Sequence, residues 1–179
     1  MGLGVLLISA VSLFVAYSAN RTQERMLAAS VWPSLMAGTS NATTDGGRQV
    51  SVDLLNRGVG PARIRWAEVR YRDKALAGPS ALLAACCGSN EQAADVSIIT
   101  TSIQRRVVGA GEWIQAMRVR PRVTPTPAYE ALSAALPDLR TRLCYCSVLD
   151  ECWLLDSGKS EPDPVRECPA APPVLWGSD

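Results

Sequence analysis

The sequence predicts a mainly β protein: a two-sheet β-sandwich with two short helices, preceded by a transmembrane α-helix. Short segments in which apolar and polar residues alternate recur between residues 49 and 155, which is typical of sandwich strands. Residues 2–19 carry no charged side chain, and a membrane crossing takes about 20 such residues. The remaining chain, about 150 residues, suits one compact domain. Its five tryptophans and the 47% hydrophobic content of the whole chain exclude a disordered protein.

The uncharged N-terminal segment is expected to stay in the bilayer, where a helix satisfies its own backbone hydrogen bonds. A cleaved signal peptide and a buried core helix are the alternatives. Good helix formers continue past Arg21, and Pro33 stops the helix because the residue before a proline is pushed out of the α region. Trp32 is expected at the membrane interface or in the core. The predicted regions are an anchor (1–20), a juxtamembrane helical extension (21–30), a β-sandwich (31–156) and a proline-rich, irregular tail (157–179).

The clearest strand is residues 49–56, where Val50, Val52 and Leu54 alternate with polar residues. A first strand is expected before it, followed by a loop rich in small polar residues. The strand after it changes phase, which indicates a β-bulge near Ala67 and Glu68. The other predicted strands are residues 31–36, 62–73, 96–103, 107–108, 113–119, 140–147 and 152–155; the helices are 79–87 and 128–136; the loops are 37–47 and 89–94; and an extended stretch is 121–127.

Strands 49–56 and 62–73 are joined by the turn Asn-Arg-Gly-Val-Gly-Pro-Ala. Gly58 and Gly60 are expected to supply positive φ angles, and Pro61 to fix the exit. The 15 residues VSVDLLNRGVGPARI resemble the opening hairpin of immunoglobulin-like extracytoplasmic domains of the CARDB kind, and a group of uncharacterised bacterial membrane-anchored proteins. The resemblance implies an immunoglobulin-like fold and an extracytoplasmic location, and it implies no activity.

Histidine is absent, which excludes catalytic arrangements that use an imidazole and removes the commonest metal ligand. No convergent set of acid and base residues stands out in the sequence. We therefore expect a protein that is not an enzyme and needs no cofactor; an enzyme that uses carboxylates is the remaining alternative.

The six cysteines predict two or three disulfides in an oxidising compartment. Strand alternation puts Cys144 and Cys146 on one face, and Cys152 lies across a turn. A bridge from Cys152 to either of them is possible, with Cys168 holding the tail. Alternatively, these four thiolates could bind zinc, although no Cys-x-x-Cys pair is present.

The adjacent pair Cys86 and Cys87 completes the set of disulfide candidates. These residues fit two small apolar positions on a helix, and a redox role is the alternative.

The orientation of the domain is indicated by two opposing features. The basic Arg21 and Arg25, which follow the N-terminal helix, favour a cytoplasmic domain. The cysteines favour the oxidising side, and we give them more weight.

Arginines recur at strand period and would form one basic face if their strands shared a sheet. Residues 48–122 carry 12 basic and 6 acidic side chains, net +6, and residues 138–179 carry 4 and 8, net −4. This pattern fits a solvated face that the acidic tail partly neutralises. It also fits a surface for an anionic partner such as lipid head groups, a sugar phosphate or an acidic protein. The candidates are Arg63, Arg65, Arg70, Arg72, Arg118, Arg120, Arg122, Arg140 and Arg142.

Together these observations predict a non-catalytic, single-pass inner-membrane protein whose domain faces the periplasm. The domain would act as an interaction or scaffolding module for another envelope protein, while residues 2–19 contact the bilayer. Nucleic acid is not an expected partner there. The alternative is a membrane protein facing the cytoplasm, with a structural zinc site at Cys144, Cys146, Cys152 and Cys168.

Overall fold

The computed structural model describes residues 2–43, 46–88, 96–122 and 127–178, without the side chains of residues 2, 3, 5 and 6. The fold is mainly β with two sheets, which confirms the predicted class. Within the described residues the helices are α1 (Gly2–Ser30), α2 (Pro79–Cys86) and α3 (Pro127–Ala135), the last followed by a 3-10 turn (Leu136–Asp138). The strands are β1 (Leu35–Ala42), β2 (Arg48–Asn56), β3 (Ala62–Tyr71), β4 (Lys74–Leu76), β5 (Val96–Thr100), β6 (Val107–Val108), β7 (Trp113–Pro121), β8 (Leu139–Cys146), β9 (Cys152–Asp156) and β10 (Asp163–Val165). The predicted loop at residues 89–94 lies outside the described residues, as do residues 123–126 of the predicted extended stretch.

The two sheets are antiparallel and pack face to face. Sheet A has the order β1-β2-β7-β5, and sheet B has the order β10-β9-β8-β3-β4, with β6 also paired to β3. Apolar side chains from the facing surfaces form one core. Sheet A contributes Val52, Leu54 and Met117, among others, and sheet B contributes Ile64, Val69 and Leu143.

Helix α1 continues past Arg21 to Ser30, as the sequence predicted. Its described side chains are exposed along most of its length, including Leu13 (73%) and Phe14 (72%). No helix in the described part of the chain combines the length and apolar character that a membrane crossing requires.

The first predicted strand and the predicted bulge are both misplaced. The first strand is β1, so most of the predicted loop at 37–47 is strand, and residues 31–34 are not. The sequence of β1 shows no alternation of apolar and polar residues, because β1 is an edge strand in which Leu35 is the only fully buried residue. The bulge in β3 falls at Arg65, where the register with β8 shifts between Ile64 and Trp66, and not near Ala67.

The tail is more ordered than predicted. Strand β10 pairs with β9, and the indole of Trp66 donates to the Pro169 carbonyl oxygen at 2.9 Å. Trp176 is buried, and its backbone N–H donates to the Ala67 carbonyl oxygen at 3.1 Å. The Gln104 side chain bonds both backbone groups of Ala67. The tail and Gln104 therefore cover the edge of β3 between its short partners β6 and β4.

Candidate functional site

The nine arginines do not share one face, because their strands belong to different sheets. Three of them lie on or just after β7 in sheet A: Arg118, Arg120 and Arg122. The other six lie on β3, on β8 or in the turn after β3: Arg63, Arg65, Arg70, Arg72, Arg140 and Arg142.

Acidic side chains neutralise most of the arginines of sheet B. Glu68 is 2% exposed, and its two carboxylate oxygens lie 3.3 Å from Arg70 and 3.3 Å from Arg142. Arg140 donates to backbone carbonyl oxygens. The other ion pairs are Arg63 and Arg65 with Asp150, Arg72 with Asp138, and Arg142 with Asp156. This surface therefore carries little unbalanced charge, and its acidic partners, Glu68, Asp138, Asp150 and Asp156, all lie outside the tail 157–179.

The arginines of sheet A have polar partners of another kind. Arg120 donates to the Gln49 side chain at 2.8 Å, and Arg122 donates to the Val96 carbonyl oxygen at 3.3 Å. The Nε of Arg118 is buried without a hydrogen-bond partner among the described residues. None of these three forms an ion pair within the described part of the chain.

All six cysteines are paired. Cys146 lies directly opposite Cys152 in the register of β8 and β9, and these two are bonded. Cys144, on the same face of β8, is bonded to Cys168 and so attaches the tail to sheet B. The third bridge joins the adjacent Cys86 and Cys87 at the end of α2.

The two bridges on β8 lie against each other. The Sγ atoms of Cys146 and Cys168 are 3.7 Å apart, and those of Cys146, Cys152 and Cys168 lie within 4.8 Å of one another. Zinc binds thiolates, so a metal at this cluster would require both bridges to be reduced.

The turn after β2 holds the segment that follows α1. Asn56 is fully buried, and its side-chain oxygen accepts from the backbone N–H groups of Ser34 (3.1 Å) and Gly58 (3.0 Å). Its amide nitrogen donates to the carbonyl oxygens of Gly60 (2.8 Å) and Val108 (3.1 Å). Asn56 therefore links this segment, its own turn and β6.

The prediction that Gly58 and Gly60 supply positive φ angles is wrong, since neither is among the residues with positive φ. They are needed because the chain passes very close to them. A Cβ at Gly58 would lie 2.4 Å from the Trp32 carbonyl oxygen, and one at Gly60 would lie 1.9 Å from that of Val31. The Trp32 carbonyl oxygen also accepts from the N–H groups of Val59 and Gly60, so the turn fixes the position of Trp32.

A cleft of about 380 Å³ opens where β1 of sheet A faces β9 of sheet B. Its apolar wall includes Leu35, Tyr145 and Trp153, and Trp32 lines it while remaining 49% exposed. The rings of Tyr145 and Trp153 stack with centroids 5.6 Å apart and planes 24° apart. Burial raises the pKa of Tyr145 to about 12, so its side chain is an uncharged phenol at neutral pH.

The loop between β9 and β10 supplies the polar side of the cleft. Lys159 is paired with Asp163, its Nζ lying 2.6 Å from the carboxylate. Glu161 has no ion pair or hydrogen bond among the described residues. Four residues that line the cleft have a side-chain group without a hydrogen-bond partner among the described residues. These groups are the hydroxyls of Ser34 and Ser160 and the indole N–H groups of Trp32 and Trp153.

Comparisons with protein-family models, with curated proteins and with solved structures gave no match to this chain. No local sequence pattern indicated the cleft, because its two sides come from residues 32–37 and 145–162. Only the positions of Trp32 and Trp153 could have drawn attention to it.

Proposed function

We propose that this chain is a non-catalytic, single-pass membrane protein of the cell envelope whose β-sandwich is an interaction or scaffolding module outside the cytoplasm. The exposure of α1 carries the proposal. Leu13, Phe14 and Val15 are consecutive and are 73%, 72% and 56% exposed, so apolar side chains point to several sides of the helix. A helix that is apolar all round needs lipid or surrounding protein. Residues 2–19 carry no charge, and this composition supports the proposal, although the described part of the chain holds no helix with the length and apolar character of a crossing.

The paired cysteines support a position on the oxidising side of the membrane. Disulfides persist in the bacterial periplasm and are rare in the cytosol. All six cysteines are bonded in this fold, and Cys144 and Cys168 join its tail to its second sheet. We therefore place the domain in the periplasm, attached to the inner membrane. An immunoglobulin-like domain of the CARDB kind, which the turn sequence resembles, fits this proposal.

The partner that we propose is another envelope protein rather than an anionic lipid or a sugar phosphate. Most of the arginines of sheet B form ion pairs, and Glu68 pairs with both Arg70 and Arg142. An anionic ligand would have to break these pairs, whereas a protein surface with both signs of charge would not.

The membrane part of the proposal is tested with reporter fusions after residue 178. Alkaline phosphatase is active only after export, and β-galactosidase only in the cytoplasm. We expect an active phosphatase fusion, an inactive galactosidase fusion, and a full-length chain that stays in the membrane pellet after a carbonate wash.

Two double variants test whether α1 is the anchor. Val11→Asp/Phe14→Asp should be released from the membrane, since charged side chains are costly in the bilayer, while Val11→Leu/Phe14→Leu should not. Galactosidase activity, or release of the unchanged chain, would refute the proposal.

The second candidate is the cytoplasmic-facing protein with a zinc site, which the closeness of the sulfurs of Cys146, Cys152 and Cys168 favours. Mass spectrometry of the alkylated, unreduced chain separates the two. Six unmodified cysteines support the envelope protein. Alkylated cysteines together with bound zinc in the purified chain support the alternative.

A further inference from the structure

We propose that the cleft between β1 and β9 binds a neutral saccharide of one or two pyranose rings. The inference goes beyond the proposed function, because it depends neither on α1 nor on the side of the membrane. The cleft volume of about 380 Å³ lies in the range of small-molecule sites, roughly 300–1,000 Å³. It has room for one or two sugar rings and is too small for a folded partner.

The aromatic wall supplies flat apolar surfaces. Trp153 stacks on Tyr145, which is 1% exposed, so its ring is held in place before any ligand arrives. Trp32 is held through its backbone by the turn that contains Gly60. A pyranose ring has an apolar C–H face, and the negatively polarised face of an indole attracts those C–H groups. Since stacking on Tyr145 already orders the Trp153 ring, that ring loses little conformational freedom on binding.

The polar groups of the cleft match a ligand that both donates and accepts hydrogen bonds. The two indole N–H groups and the hydroxyls of Ser34 and Ser160 can donate, and the Glu161 carboxylate accepts. Sugar hydroxyls do both. An alkyl chain would remove these groups from water without pairing them. A quaternary ammonium ion could face the indoles, but it could not accept a hydrogen bond from either of them.

The charges of the lining favour a neutral sugar over an anionic one. Lys159 is the only cation that lines the cleft in the described structure, and Asp163 holds it. Asp156 is 3.6 Å from Arg142. Glu161 is left without a counter-charge in the described part of the chain, so a phosphate or a uronate would be repelled.

Isothermal titration calorimetry and ligand-observed NMR test the proposal on the full-length chain, in a detergent whose head group is not a sugar. The probes are cellobiose and chitobiose; glucose 6-phosphate, choline and decanoate are the comparison ligands. We expect at least one disaccharide to bind, with the comparison ligands weaker or not binding. Trp32→Ala and Trp153→Ala should each weaken binding about tenfold, because each removes a stacking surface. Glu161→Gln should weaken it by a smaller factor.

Trp113→Ala is the matched control, since Trp113 is 59% exposed and does not line the cleft. It should leave binding unchanged. Trp153→Ala is interpreted only if its circular dichroism spectrum and unfolding midpoint match those of the unchanged chain, and the exposed Trp32 provides a second variant that does not depend on this. The proposal is overturned if neither disaccharide binds, if choline, decanoate or glucose 6-phosphate binds more tightly, or if Trp113→Ala weakens binding as much as Trp32→Ala.

Discussion

At the scale of single residues, Asn56 shows how one buried side chain joins separate segments of the fold. It is fully buried, and its side chain makes four hydrogen bonds to backbone groups of three separate segments. Asn56→Ala should lower the free energy of unfolding by about 4 kcal/mol, because several buried backbone groups lose their partners. Urea unfolding measures this. The control is Asn41→Ala, at an exposed side chain with no hydrogen bond in the described structure, and it should stay within about 0.5 kcal/mol. Equal effects would contradict the role given to Asn56.

A second residue-scale prediction concerns pH. The Gly109 backbone N–H donates to Glu112 at 2.7 Å, and this bond, together with the Arg106 guanidinium, lowers the pKa of Glu112 below its usual 4.5. The unfolded chain then binds the proton more readily, so the stability contributed by this carboxylate is present above about pH 4.5 and is lost as the pH falls further. Glu112→Gln should make stability fall less steeply below pH 4.5. Glu151→Gln, at an exposed side chain without ion pair or hydrogen bond in the described part, should not change that slope.

These residues also show what the sequence could and could not predict locally. The turn after β2 was found because asparagine, two glycines and a proline are turn residues. The reason for Gly58 and Gly60 was missed, since it is the approach of Val31 and Trp32, some 27 residues earlier in the chain. A close approach between distant segments leaves no trace in a local pattern.

At the scale of elements, the disulfides differ in the length of chain that they close. Cys144–Cys168 spans 24 residues, Cys146–Cys152 spans 6, and Cys86–Cys87 spans 1. By restricting the unfolded chain, the first bridge should add about 3.5 kcal/mol to the free energy of unfolding and the second about 2.4 kcal/mol. Replacing both members of a pair by alanine should therefore destabilise most for Cys144 and Cys168 and least for Cys86 and Cys87. Guanidinium unfolding of the three double variants measures the order. A reversed order would mean that contacts in the folded state, and not loop closure, decide the effect.

The elements that were predicted well are those whose own residues show the burial pattern or the end signal of the element. The alternating Val50, Val52 and Leu54 of β2 all lie in the core, and α2 is opened by Pro79. Strand β1 and the tail were missed because their order comes from neighbours: β1 is an edge strand, and Trp176 is held by β3 and Gln104.

At the scale of the molecule, the number of layers followed from strand spacing, but the assignment of strands to sheets did not. From the sequence, the arginines of β7 and β3 would form one face only if their strands shared a sheet, and β7 instead pairs with β2 and β5 in the other sheet. The cleft depends on the same information, because it exists only where β1 of one sheet meets β9 of the other. Pairing of distant strands is set by the whole core and cannot be taken from any one segment.

The last prediction concerns the independence of the sandwich from α1. The described side chains of α1 are exposed along most of its length, so removing the helix should leave the core intact. We expect a chain in which a cleavable export signal replaces residues 2–28 to unfold within about 0.5 kcal/mol of the full-length protein. The retained residues keep Val31 and Trp32 in contact with Gly60. The truncated chain should also move from the membrane pellet to the soluble periplasmic fraction. A large loss of stability would show that α1 packs against the domain or against a second copy, and retention in the pellet would show that another surface holds the protein at the membrane.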